Sequence, residues 1–117
     1  MKSNWDTFKG KRIFVAHYDH LTADELQAEV SAVEKEILQQ PSGSVLFVGD
    51  VSGTVISPDA LNLFKNAALH TRSKMRKCAV LGVTGARRML LEIVVKFSGM
   101  EFLAFENVQQ ANEWLIK

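Results

Sequence analysis

Apolar and polar positions along this chain switch between two periods, and the switches mark alternating strands and helices. Arg12 to His17, with Ile13, Phe14, Val15 and Ala16 inside it, has the β-branched and aromatic content of a short strand. Thr22 then opens a helix. Thr22 and Glu25 have the spacing of a capping box, and Leu21 with Leu26 occupy the positions of a hydrophobic staple. Leu26, Val30, Val33 and Ile37 follow on one face, while the other, acidic face belongs in water.

Pro41, Ser42 and Gly43 stop that helix, and Ser44 to Gly49 forms a second strand. Its run Val45, Leu46, Phe47, Val48 is apolar without alternation, as expected of a strand covered on both sides. After a loop from Asp50 to Ile56, Ser57-Pro58-Asp59 supplies a helix N-cap, a proline at the first helical position and an acid in the first turn. Leu61, Phe64, Ala68 and Thr71 share one side of this helix, which ends in His70 and Arg72. Lys77 to Val83 reads as the third strand, Thr84-Gly85 as a turn and Ala86 to Ser98 as a helix stopped by Gly99. Phe102 to Phe105 is the fourth strand. Asn107 caps a last helix with Val108, Ala111 and Leu115 inward, and Asn107 with Gln110 repeats the capping-box spacing.

Strands and helices alternating at these lengths predict βαβ units, so the expected fold is a single α/β domain over residues 1–117. About four mainly parallel strands would alternate with four helices, connected right-handedly and ordered as sequential neighbours. In a parallel sheet the segments that follow the strands leave along one edge, where open α/β sheets bind ligands. That edge would carry His17 to Thr22, Asp50 to Ser57, Thr84 to Arg88, and Glu106 with Asn107.

Composition narrows the function classes. At 117 residues, with 47% hydrophobic and 23% charged residues, the chain is of ordinary globular type and large enough for one core. The longest apolar stretch, Met89 to Val95, is interrupted by Glu92 and far shorter than a bilayer requires. The first ten residues lack the apolar segment of a secretory signal. Cys78, the single cysteine, lies among Ala79, Val80 and Leu81 and reads as a small buried hydrophobe, which fits a reducing cytoplasm. A formal net charge of +1 exerts no general pull toward nucleic acid or anionic membrane. The charges are nonetheless segregated, with Asp24, Glu25, Glu29, Glu34 and Glu36 in one segment and Arg72, Lys74, Arg76 and Lys77 in another.

Several residue groups suggest chemistry. His17, Asp19, His20 and Asp50 could gather round a divalent metal, although their spacing matches no metal motif. Ser57 with His17 or His20 and Asp50 could form a nucleophile, base and orienter, but no nucleophile-elbow sequence is present and Ser57 already serves as an N-cap. Gly82-Val83-Thr84-Gly85-Ala86-Arg87-Arg88 is a glycine turn feeding a helix with two arginines, a setting for a small anion that lacks both nucleotide-binding fingerprints. Met89, Leu90, Leu91, Ile93, Val94, Val95 and Phe97 leave the third helix little polar face, so it should be buried on more than one side. In so small a domain the second cover would come from another subunit, in a homodimer through Ala86 to Ser98.

Val48-Gly49-Asp50-Val51-Ser52-Gly53 followed by Ile56-Ser57 resembles STAS domains, the module of sulfate transporters and anti-sigma-factor antagonists. Gly10-Lys11, Asp50 to Thr54, Gly82 to Gly85, Phe97-Ser98-Gly99 and Trp114-Leu115 resemble more closely the small stand-alone bacterial STAS-like proteins, whose fold is similar also to CRAL-TRIO lipid carriers. The resemblance implies a cytoplasmic, non-enzymatic regulatory or binding module without cofactor or metal, acting through protein contacts or a small anionic ligand. The working edge expected is Asp50, Ser52, Thr54, Ser57, Thr84, Gly85 and Arg87, with Arg87 offering charge to an anion. By the same resemblance Ser57 is the position of a regulatory phosphate, although Pro58 and Asp59 depart from the family's pattern there. The alternatives are a small metal-dependent or hydrolytic enzyme using His17, His20 and Asp50, and a carrier of an apolar small molecule beside the third helix. The carrier would need an apolar pocket of at least a few hundred cubic ångströms.

Overall fold

A computed structural model describes residues 1–85 and 87–117; Ala86, the expected first residue of the third helix, lies outside them. Five strands form one sheet in the order β1-β2-β3-β4-β5, where β1 is Asn4–Phe8, β2 Lys11–His17, β3 Val45–Asp50, β4 Met75–Leu81 and β5 Leu103–Phe105. The helices are α1 (Ala23–Leu38), α2 (Pro58–Thr71), α3 (Arg87–Ser98) and α4 (Val108–Leu115). Strands β2 to β5 are parallel and sequential neighbours, as expected.

The sequence reading leaves β1 out, and it is the fifth strand. It pairs antiparallel with β2 from Asn4↔Val15 to Phe8↔Lys11. The connection is a two-residue hairpin, Lys9-Gly10, with φ of 50° and 82°, a left-handed pair suited to the twist of the flanking strands. Polar Asn4, Asp6 and Thr7 hide the strand from a hydrophobicity reading. Its attachment runs through acids of α1. Glu29 is buried and accepts from the Ser3 N–H (2.7 Å), the Ser3 hydroxyl (2.6 Å) and the Lys2 N–H (3.0 Å), and Glu36 accepts from Trp5 Nε1 (2.9 Å). The acidic segment is therefore not wholly a solvated face.

Local signals of α1 and α2 are realised as written. Thr22 and Glu25 close a reciprocal capping box, and the Ser57 hydroxyl accepts from the Ala60 N–H at 3.1 Å. Asn107 caps α4 by accepting from the Gln110 N–H at 2.9 Å.

Parallel strands laid down in order with crossovers of one hand place α1, α2 and α3 together on one sheet face. The apolar interior is accordingly divided by the sheet into two layers rather than gathered into one. Val45 and Phe47 face the first layer with Phe14, Ala16, Cys78 and Val80, beneath the three helices. Leu46 and Val48 face the second with Ile13 and Ala79, against Ala111 and Leu115 of α4. This two-sided burial explains the unbroken apolar run of β3. Cys78 is buried and its thiol is pushed up to about 12 by desolvation, as fits a packing residue rather than a nucleophile.

One expectation about an inward face is corrected. Val108 is 45% exposed, because α4 has only eight residues and seats itself through Ala111 and Leu115, leaving its first turn in solvent. Within this chain α3 is buried along one side only, through Val94 and Ser98. Residues at intervals of four share a helix face, so Met89, Ile93 and Phe97 form a stripe turned away from the sheet. No helix among the described residues is long and apolar enough to cross a membrane.

Candidate functional site

Three loops that leave parallel strands interlock along one rim of the sheet. Parallel register sets His17 beside Asp50 and Asp50 beside Leu81, and backbone bonds carry the alignment into the loops. The Tyr18 N–H donates to the Asp50 carbonyl (2.9 Å), the His20 N–H to the Ser52 carbonyl (2.9 Å) and the Val51 N–H to the Leu81 carbonyl (3.0 Å). Two glycines permit this closeness. A Cβ on Gly53 would strike the His20 ring, and one on Gly82 would lie 2.5 Å from Ser52 Oγ. The loop at 50–57 is therefore a neighbour of the segment that follows β4, whose Arg87 reaches the carbonyls of Val51 and Thr54.

The expected edge residues divide into those that hold the loops and those that present surface. Thr54 is buried; its hydroxyl donates to the Tyr18 carbonyl and accepts from the Leu21 N–H at 3.2 Å. Asp50 Oδ1 accepts from the Ser52 N–H at 2.9 Å and shapes the turn. Arg87 Nη2 donates to the carbonyls of Val51 (2.6 Å) and Thr54 (2.8 Å), so this nitrogen clamps the second loop. Ser52 and Ser57 are half-buried, and Thr84 and Gly85 are exposed.

The residues of the enzyme alternative share the rim without forming a reactive arrangement. His17 Nδ1 is 3.7 Å from Asp19 Oδ1, and the His20 ring lies over Gly53. Among the described residues no hydrogen bond joins Ser57, His17, His20 and Asp50, and no group of three His, Cys, Asp or Glu side chains could hold a metal.

Two apolar features adjoin the rim. An open groove of about 480 Å³ runs between Thr54, Val55, Ile56, Arg87, Met89, Leu90 and Ile93. It is the start of an apolar strip in which Val55 is 80% exposed, Met89 68%, Ile93 43% and Phe97 48%. Lys65 Nζ sits 4.5 Å over the Phe97 ring at its far end.

The second feature is an apolar cavity of about 110 Å³ between the sheet and α1, α2 and α3. Small residues create it: Gly49 on the sheet and Ala67 and Ala68 on α2 line it, where larger side chains would fill it. Its volume is below the few hundred cubic ångströms that a carrier of an apolar small molecule was expected to need. Tyr18 lines it, packed on Phe64 at 5.5 Å between ring centroids. Burial, with the charges of Glu29 and Glu34, holds its hydroxyl protonated well above the ordinary phenol range.

Comparison with known proteins places this geometry in a family. The SpoIIAA-like family model matches residues 12–116, which hold the parallel strands β2 to β5 and all four helices but not β1. The crystal structure of an uncharacterized protein with a SpoIIAA-like fold from Shewanella loihica superposes with a TM-score of 0.74 over 97% of this chain and 91% of that one. The two are 15% identical, so the likeness is one of fold. No curated protein matches.

Proposed function

The chain belongs to the SpoIIAA-like family, and from that premise we propose that it works as a non-enzymatic regulatory module of STAS type that acts by protein contact. The contact surface is the loop rim together with the outer stripe of α3. The observation that carries this reading is the continuity of the two: Thr54 and Arg87, which tie the loops together, line the same groove as Met89 and Ile93. An apolar strip of this kind, rimmed by charge, is the signature of a protein interface.

The occupant is a second copy of the chain, packed antiparallel through α3. Ile93 would lie near the twofold axis, with Met89 and Phe97 on either side. Glu92 sits one turn from both Arg88 and Lys96, so an antiparallel copy brings each glutamate among the cations of the other helix. The rim residues Ser52, Ser57, Thr84 and Gly85 stay at the border of that contact, where a phosphate on Ser57 would alter it by charge and bulk.

Sedimentation velocity across a concentration series tests the reading. A dimer at high micromolar concentration is expected, converted to monomer with unchanged circular dichroism by the double substitution Met89→Glu, Ile93→Glu. A wild-type chain that stays monomeric throughout would overturn it.

A further inference from the structure

At the edge of the sheet opposite the rim, where the parallel strands begin, cations gather in a row. The turn between β1 and β2 holds Lys9, and Lys11 and Arg12 open β2; Lys74 and Arg76 flank the start of β4. The β2–β3 register, carried back to the strand starts, sets Lys11 level with Ser44, and the Ser44 N–H donates to the Lys74 carbonyl at 3.0 Å. The two groups are therefore two strand spacings apart, about 10 Å. Between them lie Ser42, Gly43 and Ser44, all small and exposed, so nothing bulky interrupts the row. Arg76 owes its direction to the backbone. The register passes from Val45↔Met75 to Leu46↔Lys77, so Arg76 is an extra residue with none opposite it, and a bulge of this kind re-aims the side chain it carries.

Two of these cations are fixed on aromatic rings, Arg12 at 4.1 Å over Trp5 and Lys9 at 5.4 Å over Phe8. Among the described residues Lys9, Lys11, Arg12, Lys74 and Arg76 make no ion pair, and all but the half-buried Lys74 are exposed. Other charges at this end are already engaged. Arg72 donates to the Ser98 carbonyl and Lys77 to the carbonyls of Trp114 and Lys117, while Asp6 accepts from the Thr7 N–H and Glu36 from Trp5 Nε1. Like charges set side by side repel one another, and an anion from outside relieves that repulsion. From this row we infer that the edge is a docking surface for an extended acidic protein segment, whose carboxylates pass over Ser42 to Ser44 from one cation group to the other. Nucleic acid fits less well, because the rings of Trp5 and Phe8 are covered by Arg12 and Lys9 and leave bases no platform for stacking. A bilayer fits less well too, since the row presents no exposed apolar side chain to insert among acyl chains. The surface lies away from the rim and does not depend on self-association through α3.

Fluorescence anisotropy at low ionic strength tests the assignment with a labelled oligoglutamate peptide, an oligoglutamine peptide of equal length, a single-stranded oligonucleotide, and mixed phosphatidylserine and phosphatidylcholine vesicles as competitor. Oligoglutamate should bind saturably and oligoglutamine should not. Lys11→Gln and Arg76→Gln, one from each end of the row, should each weaken binding about threefold and together about tenfold, with unchanged circular dichroism. Lys2→Gln removes a cation from the rim end instead, just before β1, and should leave the affinity as it was. No saturable binding of oligoglutamate, equal losses in Lys2→Gln and Arg76→Gln, or tighter binding to the oligonucleotide or the vesicles would each overturn the assignment.

Discussion

The guanidinium of Arg87 donates from Nη2 to the carbonyl of Val51 at 2.6 Å, reaching across 36 residues of sequence. The same nitrogen donates to the Thr54 carbonyl at 2.8 Å, so the first residue of α3 holds the loop that leads into α2. The far end of α3 is tied in the same way, by Arg72 Nη1 on the Ser98 carbonyl at 2.9 Å. Between these ties the helix contributes only Val94 and Ser98 to the fully buried interior. Its seating thus depends on two arginines as much as on packing.

Removing the first tie should therefore loosen the rim. Arg87→Ala deletes two charge-assisted hydrogen bonds and leaves two partly buried carbonyls without that donor, a loss of about 2–3 kcal/mol in urea unfolding. Amide exchange should accelerate at Leu21 and Thr54, which depend on the loop's position, and remain slow in β3. Arg87→Lys should recover only part of the stability, since an ammonium cannot reproduce the guanidinium geometry.

Acid should weaken the attachment of β1 through Glu29. Burial pushes its carboxyl upward, but hydrogen bonds from Lys2 and Ser3, with the nearby N-terminal charge, more than offset this and hold it below the ordinary glutamate value. A depressed native value means that the unfolded chain binds the proton more readily. The contribution to stability is thus complete above the unfolded-state value and disappears as pH falls through the native one. Wild type should lose β1 protection from amide exchange in that acid window, and Glu29→Gln should flatten the dependence while lowering stability at neutral pH. An identical pH profile for the two chains would show that Glu29 is not the group responsible.

What could be read from the sequence is what is encoded locally. The capping box of Thr22 and Glu25 lies within four residues, and β3 announces itself because both of its faces are apolar in one short run. Strand β1 has no such internal signal; it exists because β2 offers an edge and Glu29 and Glu36 of α1 offer acceptors. The rim was foreseeable from chain direction, and the loop-shaping part of Asp50 and the capping part of Ser57 from their residue types, whereas the tie made by Arg87 was not. A guanidinium at Arg87 looks equally suited to an anion or to carbonyls until the fold shows which lie within reach. Periodicity likewise could not say which side of α3 would be covered by its own chain. The cavity is the least local feature, since Gly49, Ala67 and Ala68 leave a void only where β3 and α2 are brought face to face.

Gly82 offers a sharp check on the interlocked loops. It sits directly after β4 with φ of +85°, and an added Cβ would lie 2.5 Å from Ser52 Oγ, 2.6 Å from Ser52 N and 2.7 Å from Ser52 Cα. Two of those three atoms are backbone, so the clash cannot be relieved by a side-chain rotation. Gly82→Ala therefore combines left-handed strain of about 1–2 kcal/mol with displacement of the Asp50–Ser57 loop. A loss of at least 2 kcal/mol in thermal or urea unfolding is expected, roughly the scale of a substitution that breaks backbone geometry. Gly85→Ala supplies the control. Gly85 also has positive φ, at +58°, but a Cβ there meets nothing within 4 Å, so it should show the strain without the clash and lose about 1 kcal/mol. Equal losses in the two variants would mean that the Ser52 and Gly82 backbones do not approach each other in solution, and the rim would then not be the single surface described.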